Sequence, residues 1–162
     1  STAPGLASVA GKIDSYLNVA ATFTSASAGE GLSSEALRLM DDLLDASVPI
    51  RRAAVGEVVG LPVDEREAVV SRLLQRAGAV DAIIAIESAA EVAKSDPALA
   101  PVFHTAVQTH ALRHVVPASV VDIASVSGAQ TTLSRLVEEA GIETDVRNMA
   151  TEELATVSGQ DA

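Results

Sequence analysis

The sequence predicts an all-α protein, a compact multi-helix bundle or an orthogonal helical array of about seven short helices. Two observations lead there. Apolar residues recur at steps of three and four along most of the chain. Residues that cap, staple or stop helices fall at the edges of those periods.

The first period covers Pro4 to Thr24, where Leu6, Val9, Ala10, Ile13, Leu17, Ala20 and Ala21 share one helix face. Ser25–Gly31 reads as a connector. Ser33 then stands as an N-cap, with Leu32 and Leu37 at the spacing of a hydrophobic staple. The helix it opens carries Leu37, Met40 and Leu44 and stops before Pro49, which disfavours helical geometry at Val48. A shorter helix follows over Ile50–Val59 and stops at Gly60-Leu61-Pro62. Asp64 with Glu67 has capping-box spacing, ahead of a stripe of Val69, Val70, Leu73 and Leu74 that runs to Gly78.

Val80–Lys94 is apolar nearly all round its first half, the mark of a central helix. Its length and Ala content favour helix over an initial strand. Asp96-Pro97 opens the next helix, with Leu99, Val102, Phe103, Ala106, Val107 and His110 on one face, ending before Pro117. Ala118–Val126, with Val120, Val121, Ile123 and Val126, fits a short strand or a helix. Leu133, Leu136, Val137 and Ala140, closed by Gly141, form a further helix. Val146, Met149, Ala150, Leu154 and Val157 mark a final amphipathic one, leading into a polar tail expected to be flexible from about residue 158. Residues 1–162 read as a single domain, with no internal repeat and no boundary.

Composition narrows the function classes. With no Cys, disulfides, thiolate nucleophiles and Cys-ligated zinc are excluded. The net charge is −11, from 22 acids against 11 bases. A nucleic-acid partner needs a basic surface to displace counterions, so none is expected. Acid-rich, Lys-poor composition suits a high-salt cytoplasm and equally a GC-rich genome. No apolar run is long enough to span a membrane. The opening Ser1-Thr2-Ala3-Pro4 lacks the basic start and apolar stretch of a signal peptide. The expected location is the cytoplasm, or a particle assembled there. Apolar residues make up 48% of the chain but aromatics only 2%, so the core must be aliphatic. Such a chain often hides part of its aliphatic surface between subunits.

Three residue groups bear on chemistry. Asp41-Asp42-Leu43-Leu44-Asp45, followed by Arg51-Arg52, resembles the first aspartate-rich motif of polyprenyl synthases. The resemblance implies a helix whose carboxylates hold magnesium ions on a diphosphate, with the arginines contacting phosphate oxygens. Asp41 and Asp45, at i and i+4, would then co-ligate a hard cation. It covers residues 41–52 alone, Ala53 stands where the family has Gly, and no second aspartate-rich motif follows. The ordinary alternative is a solvated acidic helix face.

His110 and His114 form a second i, i+4 pair, able to reach one metal if Glu87 and Glu91 supply carboxylates from a facing helix. His110 lies on the apolar stripe, however, where a buried neutral imidazole is the ordinary reading. No Glu-x-x-His pair of the ferritin-like kind occurs. Third, Arg51, Arg52, Arg72 and Arg76 could make an anion patch, or pair with neighbouring acids. There is no G-x-S-x-G elbow, no Walker pattern and no G-x-G-x-x-G.

The favoured expectation is a non-enzymatic structural or assembly subunit (scaffold, shell or virion component), self-associating through aliphatic helix faces or joining other protein subunits, and needing no cofactor. The alternative is a small helical metal- or ligand-binding protein or enzyme using His110/His114 or the Asp41/Asp45 face. A coat on a lipid or polymer granule is a weaker third, because the helices are short and punctuated by Gly and Pro.

Overall fold

Ser33 opens a helix as its place in the sequence predicts, its hydroxyl accepting the Ala36 amide at 3.1 Å. The computed structural model describes residues 32–161, and among them the fold is all-α, with eight α-helices and no strand. The helix expected over Pro4–Thr24 and its connector lie outside the described residues.

In chain order the helices are α1 (Ser34–Leu43), α2 (Val48–Val58), α3 (Val63–Gln75), α4 (Ala82–Ser95), α5 (Ala100–Ala106), α6 (Pro117–Ala124), α7 (Gln130–Glu138) and α8 (Thr144–Asp161). Short 3-10 turns at Arg76–Gly78, Pro97–Leu99 and Leu112–His114 join some of them. α4 is central: Ala85, Ile86, Ser88, Ala89, Ala90, Val92 and Ala93 are buried, and α1, α2, α3, α5 and α6 all pack on it. Its Ala-rich surface lets those neighbours come close. The core around it is aliphatic apart from Phe103, its largest side chain.

Several boundaries follow the caps, and some depart from the sequence expectation. Asp81 caps α4 through the Ile83 amide, and Asp96 caps the next turn through Ala98. Asp64 and Glu67 do not form the expected capping box. Pro62 takes the N-cap position of α3, and Asp64 and Glu65 fill its first turn, where their charge favours the helix dipole. Pro117 does not merely stop a helix but starts one, its missing N–H falling where no intrahelical partner exists. That resolves Ala118–Ala124 as helix, with Ser125 and Val126 in the turn that follows. The buried stripe of α1 is Ala36, Leu39, Met40 and Leu43, while the supposed staple residue Leu37 is exposed.

The end of α7 is closed by cations. Gly141 turns the chain at φ +87°, a conformation that costs any residue with a Cβ. Arg147 on α8 then donates to the Val137 carbonyl and, at 3.0 Å, to Ile142, while Arg113 donates to Ala140 at 3.0 Å. Carbonyls left without helical partners are met by guanidinium groups at the negative pole of α7.

α5 does not continue as an α-helix. Val107–Ala111 forms a π turn before the 3-10 turn that ends at His114. The wider turn moves the buried stripe from Phe103, Ala106 and Val107 to Ala111 and Leu112. His110, expected on that stripe, is consequently exposed.

Candidate functional site

The residues singled out for chemistry are dispersed. α1 ends at Leu43, so Asp41 and Asp45 do not share a helical turn. Asp41 points to solvent, with Arg76 at 4.0 Å. Asp42 pairs with Arg38 at 3.1 Å. Asp45 uses one carboxylate oxygen to accept the Ser47 amide at 2.8 Å, ordering the α1–α2 turn. Arg51 donates to the Asp45 carbonyl at 2.7 Å and faces Glu87 at 3.6 Å. The Asp and Arg groups of the polyprenyl-synthase-like string therefore do not line one cavity.

His110 and His114 lie on either side of the change from π to 3-10 winding, and both are exposed. The His114 ring closes over Gly78, where its Nε2 would stand 2.8 Å from an added Cβ. Glu91 pairs with Lys94 at 2.9 Å. Among the described residues, no three His, Asp or Glu side chains are grouped to hold a metal ion.

Two other arrangements carry the polar organisation of the fold. The first is a chain of hydrogen bonds around His104, which is 6% exposed. Its Nε2 lies 3.1 Å from the Val126 carbonyl, and its Nδ1 lies 2.9 Å from the Thr132 hydroxyl. A carbonyl only accepts, so Nε2 carries the hydrogen and Nδ1 accepts from Thr132. Gln108, presented by the π turn, donates to the same hydroxyl oxygen at 3.1 Å. Arg135 on α7 donates to the Gln108 Oε1 and is itself held by Glu139 at 3.1 Å. Every donor thus points one way, from guanidinium to backbone carbonyl. Burial holds the imidazole pKa below its usual value, with the Val126 and Ser127 carbonyls opposing part of that shift. A cleft of about 470 Å³ opens beside it, lined by His104, Gln108, Ser127 and Thr131 among others.

The second arrangement is a cleft of about 410 Å³ between α2 and α4. α2 contributes Val48, Arg51, Arg52, Val55 and Gly56, and α4 contributes Glu87, Ser88, Glu91 and Ser95. The spacings are those of one face on each helix. Ser88 is turned inward and donates to the Leu43 carbonyl at 2.6 Å, closing the end of α1. Arg52 is exposed and makes no hydrogen bond or ion pair with any described residue. On α6, which also packs on α4, Asp122 is held above the usual carboxylate range by burial, then by Glu87 and Glu91, with Lys94 opposing.

Neither arrangement was visible in the local pattern. His104 and Thr132 are 28 residues apart, and the cleft joins helices separated by α3. Compared with family models, curated proteins and solved structures, the chain matches none.

Proposed function

We propose that this chain is a non-enzymatic structural subunit that self-associates through aliphatic helix faces. The observation that carries the reading is where large apolar side chains reach the surface. Four of the six such exposed residues, Val48, Ile50, Ile83 and Val121, lie on α4 or on α2 and α6, which both pack on it. Exposed singly they would be ordinary; concentrated on adjacent elements they fit a surface meant to be covered. The polar interior fits the same reading. Ser88 ties α4 to the end of α1, and His104 ties α5 to Thr132 of α7 and to the Val126 carbonyl, as struts between elements.

Size-exclusion chromatography with light scattering, at low and at molar salt, tests this. An assembly larger than one chain is expected in at least one condition. A strictly monomeric mass at high protein concentration in both would overturn it.

A further inference from the structure

The α2–α4 cleft and its α6 flank bear both halves of a complementary contact. On the α2 side stands Arg52, exposed and unpaired among the described residues, next to apolar Val48 and Val55. On the α4 side stand Glu87 and Glu91, with Ile83 one turn earlier on the same face of α4 and Asp122 beside them on α6. Arg51 faces Glu87 and Lys94 pairs with Glu91, but Asp122 adds a third carboxylate to that side. One side therefore has a spare cation and the other a spare anion.

Gly56 lies between them, on the face of α2 that lines the cleft. A glycine inside a helix weakens it relative to alanine. Here nothing lies within 4 Å of where its Cβ would be, so no neighbour in the described chain requires the missing side chain. It leaves the α2 backbone open to close approach from outside.

We propose that this face is a two-fold contact with a second copy of the same chain, α2 crossing its counterpart near Gly56 and Arg52 reaching the partner's acidic α4 side. The inference rests on the assembly reading above and specifies its surface. A second copy is the occupant because a two-fold axis sets each side of the face against the other, so one patch satisfies both charges twice. It also answers the problem of net charge. Two chains of −11 repel, and association needs contacts where opposite charges meet within a few ångströms while the like charges elsewhere remain screened. The flanking Val48 and Ile83 supply apolar area around that ionic centre.

The test exchanges charges across the axis. Arg52→Glu sets like charges against each other in a self-pair, as does Glu91→Arg, and each is expected to weaken self-association about tenfold or more. Mixed one to one, the two variants regain opposite charges at both ends of the contact. The mixture is expected to recover an association that neither variant has alone. Gly56→Leu is a second probe: its site is open in the single chain, so helicity and melting are expected to hold or rise while the assembly dissociates. A native assembly whose mass is unchanged in Arg52→Glu and Gly56→Leu would overturn this surface and leave the assembly reading standing. Weakened single variants that fail to recover on mixing would overturn the two-fold pairing. A native chain that stays monomeric in both salt conditions would overturn both.

Discussion

Acidification should unlock this fold through one imidazole. His104 is buried, and its folded pKa lies below the ordinary value of about 6.5. Between those two values the unfolded chain binds the proton and the folded chain does not. The unfolded state then holds more protons, so stability falls as pH falls, by about 1.4 kcal/mol per unit. Above about 6.5 both states are neutral and the dependence vanishes; below the folded pKa both are charged and the loss levels off. Structure explains why the folded form resists. A proton on Nδ1 would meet the Thr132 hydroxyl, which already receives the Gln108 amide and would have to turn its own hydrogen elsewhere. Thr132→Val removes that hydroxyl without changing shape greatly. It leaves Nδ1 and a Gln108 N–H unmet, at a cost of about 2–3 kcal/mol. That corresponds to a fall in Tm of roughly 4–12 °C for a domain of this size. Urea unfolding followed by far-UV circular dichroism, at intervals from about pH 7.5 to 5, measures both effects. His104→Gln should be less stable at neutral pH but lose the His104 part of the acid dependence. His110→Gln with His114→Gln, altering two exposed rings, should keep it. A His104→Gln variant with the full native pH slope would rule out His104 as the source of that dependence.

Two buried serines should respond in opposite directions. Ser88→Ala strands the Leu43 carbonyl and should cost about 1–2 kcal/mol, whereas Ser119, whose buried hydroxyl has no partner among the described residues, should tolerate Ala neutrally or gain up to about 1 kcal/mol; thermal melts of the pair decide. Arg147→Met should leave the end of α7 uncapped, lowering stability by about 1–3 kcal/mol and raising amide exchange over Val137–Ile142 before the rest of the fold. Elemental analysis of the purified chain should find no stoichiometric transition metal; about one zinc per chain, lost on His110→Ala, would overturn that expectation.

The sequence discloses elements better than it discloses their partners. Ser33, Asp96, Gly141 and the prolines act within a turn of their own positions, so their spacing is enough to locate helix ends. The all-round apolar run near Ala85 announces a central helix for the same local reason. What fails is whatever depends on another helix. Asp45 looks like a ligand four residues after Asp41 until the Ser47 amide ends the helix between them. His110 has the spacing of a core residue, and His104 none of the context of a linchpin. Their exchange of places is decided by Thr132, Val126 and a change of winding that periodicity does not show. The spare charge on Arg52 and the crowding at Asp122 exist only once α2 and α6 are packed on α4.

The π turn at Val107–Ala111 also bears on how this chain can vary in length. A π turn holds one residue more than the α turn it replaces. Deleting a residue there would let the helix relax to ordinary winding while Phe103 before it and Leu112 after it keep facing the core. The same deletion inside α3 or α4 would rotate everything downstream by about 100° and turn buried side chains outward. Among the described helices, this is the place where a one-residue gap is tolerable to the packing. Its toll would fall on Gln108, which only the widened turn offers to Thr132. Relatives shorter by one residue at this point should therefore keep the aliphatic core and lack the amide that links Arg135 to the histidine.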